Sequence, residues 1–226
     1  MATIQSTAEP ITVEITGDVS KRNFTTKRST HERRLDKRSV VTCADAAQAD
    51  FIQASYTESQ ALAAAGSSYA AGGGALTSAY FSSNDVSAVT GVLDAVASEA
   101  DSSRTLSCTD DYGICDGNVI AYTFLRTTNV CCIFTSDFIP YLIAVLLQIY
   151  YCDIFFQEVE TSQLCGGVTV DDRAIRGGTT LHELTHAVAG TDDVTYGCPA
   201  DQALSAGEQI ANADNFNVRC PSILFP

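Results

Sequence analysis

The sequence predicts an α+β domain, mostly helical with a few short strands and stapled by disulfides. Apolar residues recur at helical spacing over residues 85–100 and 179–190, whereas strand-like runs are short, as in Ile11–Thr16 and Val119–Phe124. Nine cysteines in 226 residues point to an oxidising compartment, and no CxxC pair suggests a zinc ribbon. A chain of this length fits one domain plus an extension, and one core of that size can bury most of its apolar surface.

Charge separates the extension from the domain. Eight of the thirteen Lys and Arg residues lie in 21–38, paired as Lys21-Arg22, Lys27-Arg28, Arg33-Arg34 and Lys37-Arg38. Residues 39–226 hold five basic against twenty-two acidic residues, a net −17. A basic block could bind nucleic acid, but paired charges resemble sites for a furin- or kexin-like protease. Residues 1–38 are therefore expected to be the end of a propeptide removed after Lys37-Arg38. The domain left behind, 39–226, would be too acidic for nucleic acid and would attract basic polypeptides. Met1–Ser20 shows no basic n-region and no apolar h-region, so a secreted protein would have its signal upstream of this sequence. The sequon Asn23-Phe24-Thr25 would leave with the propeptide.

From Cys43 to Ala71 the chain is rich in Ala, Gln and Ser, anchored by Phe51, Ile52 and Tyr56, and reads as one or two helices ended by Gly72-Gly73-Gly74. Residues 85–100 read as a helix capped by Asn84 or Asp85, with Val86, Val89, Leu93 and Val96 as its buried stripe. Cys108–Cys115 reads as a loop, and Val119–Phe124 as a strand. Phe138–Tyr151 is nearly continuous apolar sequence, but its fourteen residues fall short of the about 20 a membrane-spanning helix needs. No membrane anchor is expected. Residues 201–215 read as a closing helix in which Leu204, Gln209, Ile210 and Ala213 cover the helix before them.

The chemistry is concentrated in Thr179–Gly197. His182-Glu183-Leu184-Thr185-His186 is an H-E-x-x-H sequence. Positions four apart share one face of a helix, so both imidazoles can meet one metal ion, with Glu183 in reach of a water on it. Thr179 or Thr180 is a candidate N-cap, Leu181, Leu184 and Val188 form an apolar stripe, and Gly190 is a stop. The chain has three histidines, and the two beyond residue 31 are these. Asp192 and Asp193 follow on a turn bounded by Gly190 and Gly197, with Tyr196 beside them. A hydrolytic zinc site takes three protein ligands and leaves the fourth position to water.

HELTH followed by GTDDVTYG resembles the signature of the deuterolysin-type zinc metallopeptidases, the aspzincins, which are mostly secreted fungal endopeptidases. The resemblance covers roughly residues 43–220 and is specific over 179–197. It implies one zinc ion per chain held by His182, His186 and Asp193, with Glu183 as general base and Tyr196 helping to stabilise the oxyanion. Asp193 follows His186 by seven positions, a tight connection that keeps Asp192 as the alternative carboxylate; the motif position favours Asp193. The implied fold is zincin-like, with a small sheet beside the HExxH helix. The implied disulfides are Cys43–Cys108, Cys115–Cys152 and Cys165–Cys220, with Cys198 left over. Asp214 matches a position that in lysine-specific members lines the pocket for the residue after the scissile bond, where a carboxylate would favour Lys or Arg.

In relatives the strand holding AYT is followed, after a modest polar loop, by a second strand, here Cys152–Phe156. Residues 130–148 are extra in that loop. They begin with Val and end with Gln, as a retained in-frame intron running from GT to CAG would encode; an ordinary hydrophobic insertion is the alternative.

These readings lead to a secreted, monomeric zinc endopeptidase acting on proteins and peptides, basic ones above all, and released by a kexin-type processing protease. The competing expectation is a non-catalytic secreted zinc-containing binding or effector protein. An intracellular HExxH hydrolase such as a deformylase fits poorly with the cysteines and the dibasic pairs.

Overall fold

The computed structural model describes residues 39–124, 148–166 and 174–217. The expected strand 11–16, the dibasic segment, the sequon, residues 130–147 of the apolar stretch, the Cys165 side chain and Cys220 lie outside what is described. The elements are β1 (Val40–Thr42), α1 (Ala46–Ala71), α2 (Ala75–Phe81), α3 (Val86–Ala97), β2 (Thr105–Ser107), β3 (Ala121–Phe124), β4 (Gln148–Tyr151), α4 (Arg176–Ala189), α5 (Cys198–Ala203) and α6 (Ala206–Ala211). Short 3-10 turns cover Asp153–Gln157, Thr161–Gly166 and Ala213–Phe216. The class is α+β and mostly helical, as expected.

The Ala-, Gln- and Ser-rich stretch forms one 26-residue helix, started by the Asp45 carboxylate on the Ala47 and Gln48 amides and closed at Gly72. Its buried face sets the small residues Ser55, Ser59, Ala63 and Ser67 among Ile52, Tyr56 and Leu62, and it packs against α3 and α4. Leu93 of α3 lies 3.5 Å from where a Cβ on Gly66 would sit. In α3, Asp85 is the N-cap and Val89, Leu93 and Val96 are buried; Val86, in the first turn, stays 40% exposed.

Four short strands form one sheet in the order β1-β2-β4-β3. β1, β2 and β4 run parallel, and β3 lies antiparallel to β4 at the edge, with Thr123 opposite Ile149. Cys43–Cys108 and Cys115–Cys152 are both bonded and tie the sheet ends to their loops.

Three expectations need correction. The strand expected over Cys152–Phe156 lies instead at Gln148–Tyr151. β2 ends opposite Tyr150 and β3 begins opposite Tyr151, so residues 153–157 have no strand to pair with and close their hydrogen bonds in a 3-10 turn. The closing helix over 201–215 is three pieces, because Leu204 and Asn212 take extended backbone angles. Cys198 is not left over: it is disulfide-bonded, and its other half is not among the described side chains.

Candidate active site

α4 carries the site through the middle of the molecule. Residues Arg176 to His186 are all buried, with Leu181 and Leu184 fully so. Its start differs from the sequence expectation. Thr179 and Thr180 are helical rather than capping, because both hydroxyls are engaged inside the core: Thr179 donates to Glu158, and Thr180 meets Ser55 at 2.9 Å and Tyr151 at 3.2 Å. The helix begins at Arg176, whose guanidinium pairs with Glu58 of α1 at 2.6 Å and stacks over Phe51. Gly190 ends it in the left-handed region (φ 65°), as expected, and swings the chain back toward the histidines.

His182, His186 and Asp193 converge. Asp193 Oδ1 lies 2.9 Å from His182 Nε2 and 3.3 Å from His186 Nε2, and the two Nε2 atoms are 3.2 Å apart. Ligands about 2.1 Å from a tetrahedral zinc stand about 3.4 Å from one another, so this triangle has the size of one face of that tetrahedron. Three lone-pair atoms this close need a cation or a proton among them, and the donor set fits zinc. Asp192 instead pairs its backbone with Asn212 and is exposed.

Outer contacts aim each ligand. His186 Nδ1–H donates to the Thr191 carbonyl at 2.6 Å, which leaves Nε2 free to coordinate. His182 Nδ1 faces Asp214 Oδ1 at 3.7 Å. Burial alone would lower the His182 pKa, but the carboxylates of Asp193 and Asp214 carry it up to about 9. Asp193 is held well below the usual carboxylate range: burial opposes this, and the two imidazoles overcome it.

Glu183 lies beside these three residues and is buried, which pushes its carboxyl pKa upward. Thr123 of β3 donates to its Oε2 at 2.7 Å. Tyr196 is 56% exposed, and its ring lies nearly parallel to that of His182 at 5.8 Å. These residues line one cleft of about 560 Å³, whose opposite wall is Asn118–Thr123. Asp214 is not in that wall. It is 2% exposed, and its oxygens accept from the Gly197 amide at 2.7 Å and the Asn217 side chain at 3.1 Å.

Sequence reasoning did not single out three supporting residues. Thr123 lay in a stretch read as a strand with no role at the site. Thr191 works through its carbonyl, which carries no side-chain signal. Asn212, fully buried, accepts the Val194 and Thr195 amides and so clamps the loop carrying Asp193; its place in NADN, two positions before Asp214, was the available hint.

Two imidazoles and an aspartate at one corner, with a second carboxylate and a phenol beside them, form a centre of the metallohydrolase type. The chain belongs to the lysine-specific metallo-endopeptidase family, whose model matches residues 66–218 and so takes in the whole site. That membership makes zinc the metal of the centre. The chain is similar to penicillolysin of Penicillium citrinum, with 34% identity over 194 residues, 80% of this chain and 48% of that protein. A neutral protease 2 homologue of Neosartorya fischeri is 38% identical over 156 residues, 64% of this chain and 28% of that protein. A homologue from Aspergillus oryzae is 34% identical over 194 residues. The chain thus spans between about a quarter and a half of the length of these curated relatives.

Proposed function

We propose that the chain is the catalytic part of a secreted, zincin-like zinc endopeptidase. The observation that carries this reading is the triangle of His182, His186 and Asp193 with Glu183 beside it, open to a cleft. When bound, the metal supplies Lewis acidity, lowering the pKa of a coordinated water toward about 7 and polarising the scissile carbonyl. Glu183 takes the proton of the attacking water and returns it to the leaving amine; burial, by raising its pKa, suits both steps. The Tyr196 phenol, its pKa raised further by partial desolvation and by the Asp193 carboxylate, donates to the carbonyl oxygen as charge develops there.

The net −17 of residues 39–226 supports a preference for basic polypeptides. The family's description as lysine-specific agrees with that preference. Asp214, though acidic, sits behind His182, so its direct contact with a substrate lysine would require the 212–217 turn to move. Release by a kexin-type protease after Lys37-Arg38, and action as a monomer, complete the reading. The disulfides Cys43–Cys108 and Cys115–Cys152 support secretion into an oxidising compartment.

Glu183→Gln tests the reading against a non-catalytic zinc-binding role. The variant should keep one zinc per chain and lose casein cleavage by more than about 10²-fold, the usual scale for one oxyanion donor. Casein cleavage at the wild-type rate would refute the assignment. A wild type that holds zinc yet cleaves nothing would favour the binding protein.

A further inference from the structure

We propose that Thr123 is a positioning residue for the general base: its hydroxyl fixes the Glu183 carboxylate so that one chosen oxygen receives the proton. The proposal rests on the peptidase reading for its kinetic consequence. Thr123 Oγ1 stands 2.7 Å from Glu183 Oε2 and 3.1 Å from the Glu183 carbonyl oxygen, two acceptors within reach of one donor. The hydroxyl has one proton, and the shorter contact takes it. Among the described residues Oε1 has no hydrogen-bond partner, while Glu183 itself lines the cleft. A terminal carboxylate torsion is otherwise broad and nearly two-fold, so an unheld Glu183 would present either oxygen at varying angles. Thr123 is well placed for the task because β3 is held to β4 by antiparallel pairing on both sides of it, at Tyr122–Tyr150 and Phe124–Gln148. The edge strand that walls the cleft therefore also sets the base.

The test uses the full chain with Thr123→Val, which removes the hydroxyl at nearly constant volume in a residue type strands favour, and with Thr123→Ser, which restores it. For the valine variant kcat on a peptide substrate should fall about 10–100-fold, the usual effect of losing such a supporting contact. KM and zinc content should stay put, and serine should recover most of the rate. Crystal structures of the metal-free proteins give a second readout. Glu183 should hold one carboxylate orientation in the wild type and the serine variant, and lose it in the valine variant. Unchanged kcat, a loss confined to KM, no rescue by serine, or an unaltered carboxylate in the valine variant would overturn the proposal. Should valine not fold, Thr123→Ala carries the same comparison. A wild type still inactive after cleavage at Lys37-Arg38 would sink the peptidase reading, while the carboxylate orientation would still decide the role of Thr123.

Discussion

Gly177 and Gly178 show how closely the first turn of α4 is fitted. A Cβ on Gly177 would lie 2.6 Å from Thr161 Oγ1 and 2.8 Å from Glu58 Cβ; one on Gly178 would lie 2.6 Å from Asn217 Oδ1. Glycine inside a helix ordinarily costs up to about 1 kcal/mol against alanine, yet here alanine has no room. Gly177→Ala should therefore lower stability by about 1–3 kcal/mol, as overpacking does, and urea unfolding would show it. A gain in stability would mean the neighbours can yield. The glycines are visible in the sequence, but their neighbours come from α1 and from the turns after Glu160 and Asn212, which no local pattern identifies. The same holds for Asn212 and Thr123, whose partners lie 17 or 18 and 60 positions away.

At the level of elements, α4 was legible where its chemistry lies and obscure where its packing begins. The ligand spacing and the Gly190 stop are local facts of helix geometry. The start at Arg176 depends on Val159, whose carbonyl accepts the Arg176 amide at 3.0 Å, and on Glu58, 118 residues distant, which holds the Arg176 guanidinium against α1. Both side chains are about nine-tenths buried. Glu58→Ala should cost about 3 kcal/mol by leaving the guanidinium buried without its main counter-charge. Zinc affinity should fall with it if α4 shifts. Equilibrium unfolding with a parallel zinc titration measures both, and unchanged unfolding would show that Glu160, at 3.7 Å, suffices.

For the whole molecule, disulfides and charge set the response to conditions. Cys43–Cys108 closes a separation of 65 residues. Replacing both with alanine should remove about 2–5 kcal/mol, read as a drop in melting temperature; an unchanged melt would show that the sheet holds β1 unaided. Acid acts through carboxylates held below their ordinary values. Asp85, Asp101 and Glu208 are lowered by hydrogen bonds from Ser87, Ser103 and Ser205. A depressed pKa gives stability that is complete above the unfolded values of 3.8 and 4.5 and is lost as pH falls through the lower folded values. Thermal melts should decline below about pH 4, and Ser103→Ala and Ser205→Ala should flatten that decline. Melts independent of pH in that range would contradict it.

The sequence by itself picked out the three side chains that converge, the carboxylate beside them, the helical stop and two of the disulfides, since each rests on spacing along a helix, on turn chemistry or on a family resemblance. Tertiary structure decided where α4 starts, which strand follows the apolar stretch, what Cys198 does and where Asp214 stands. Those outcomes hinge on which distant groups fill the space and hydrogen bonds around a residue, and contacts across 60 to 118 positions leave no periodic trace in the chain.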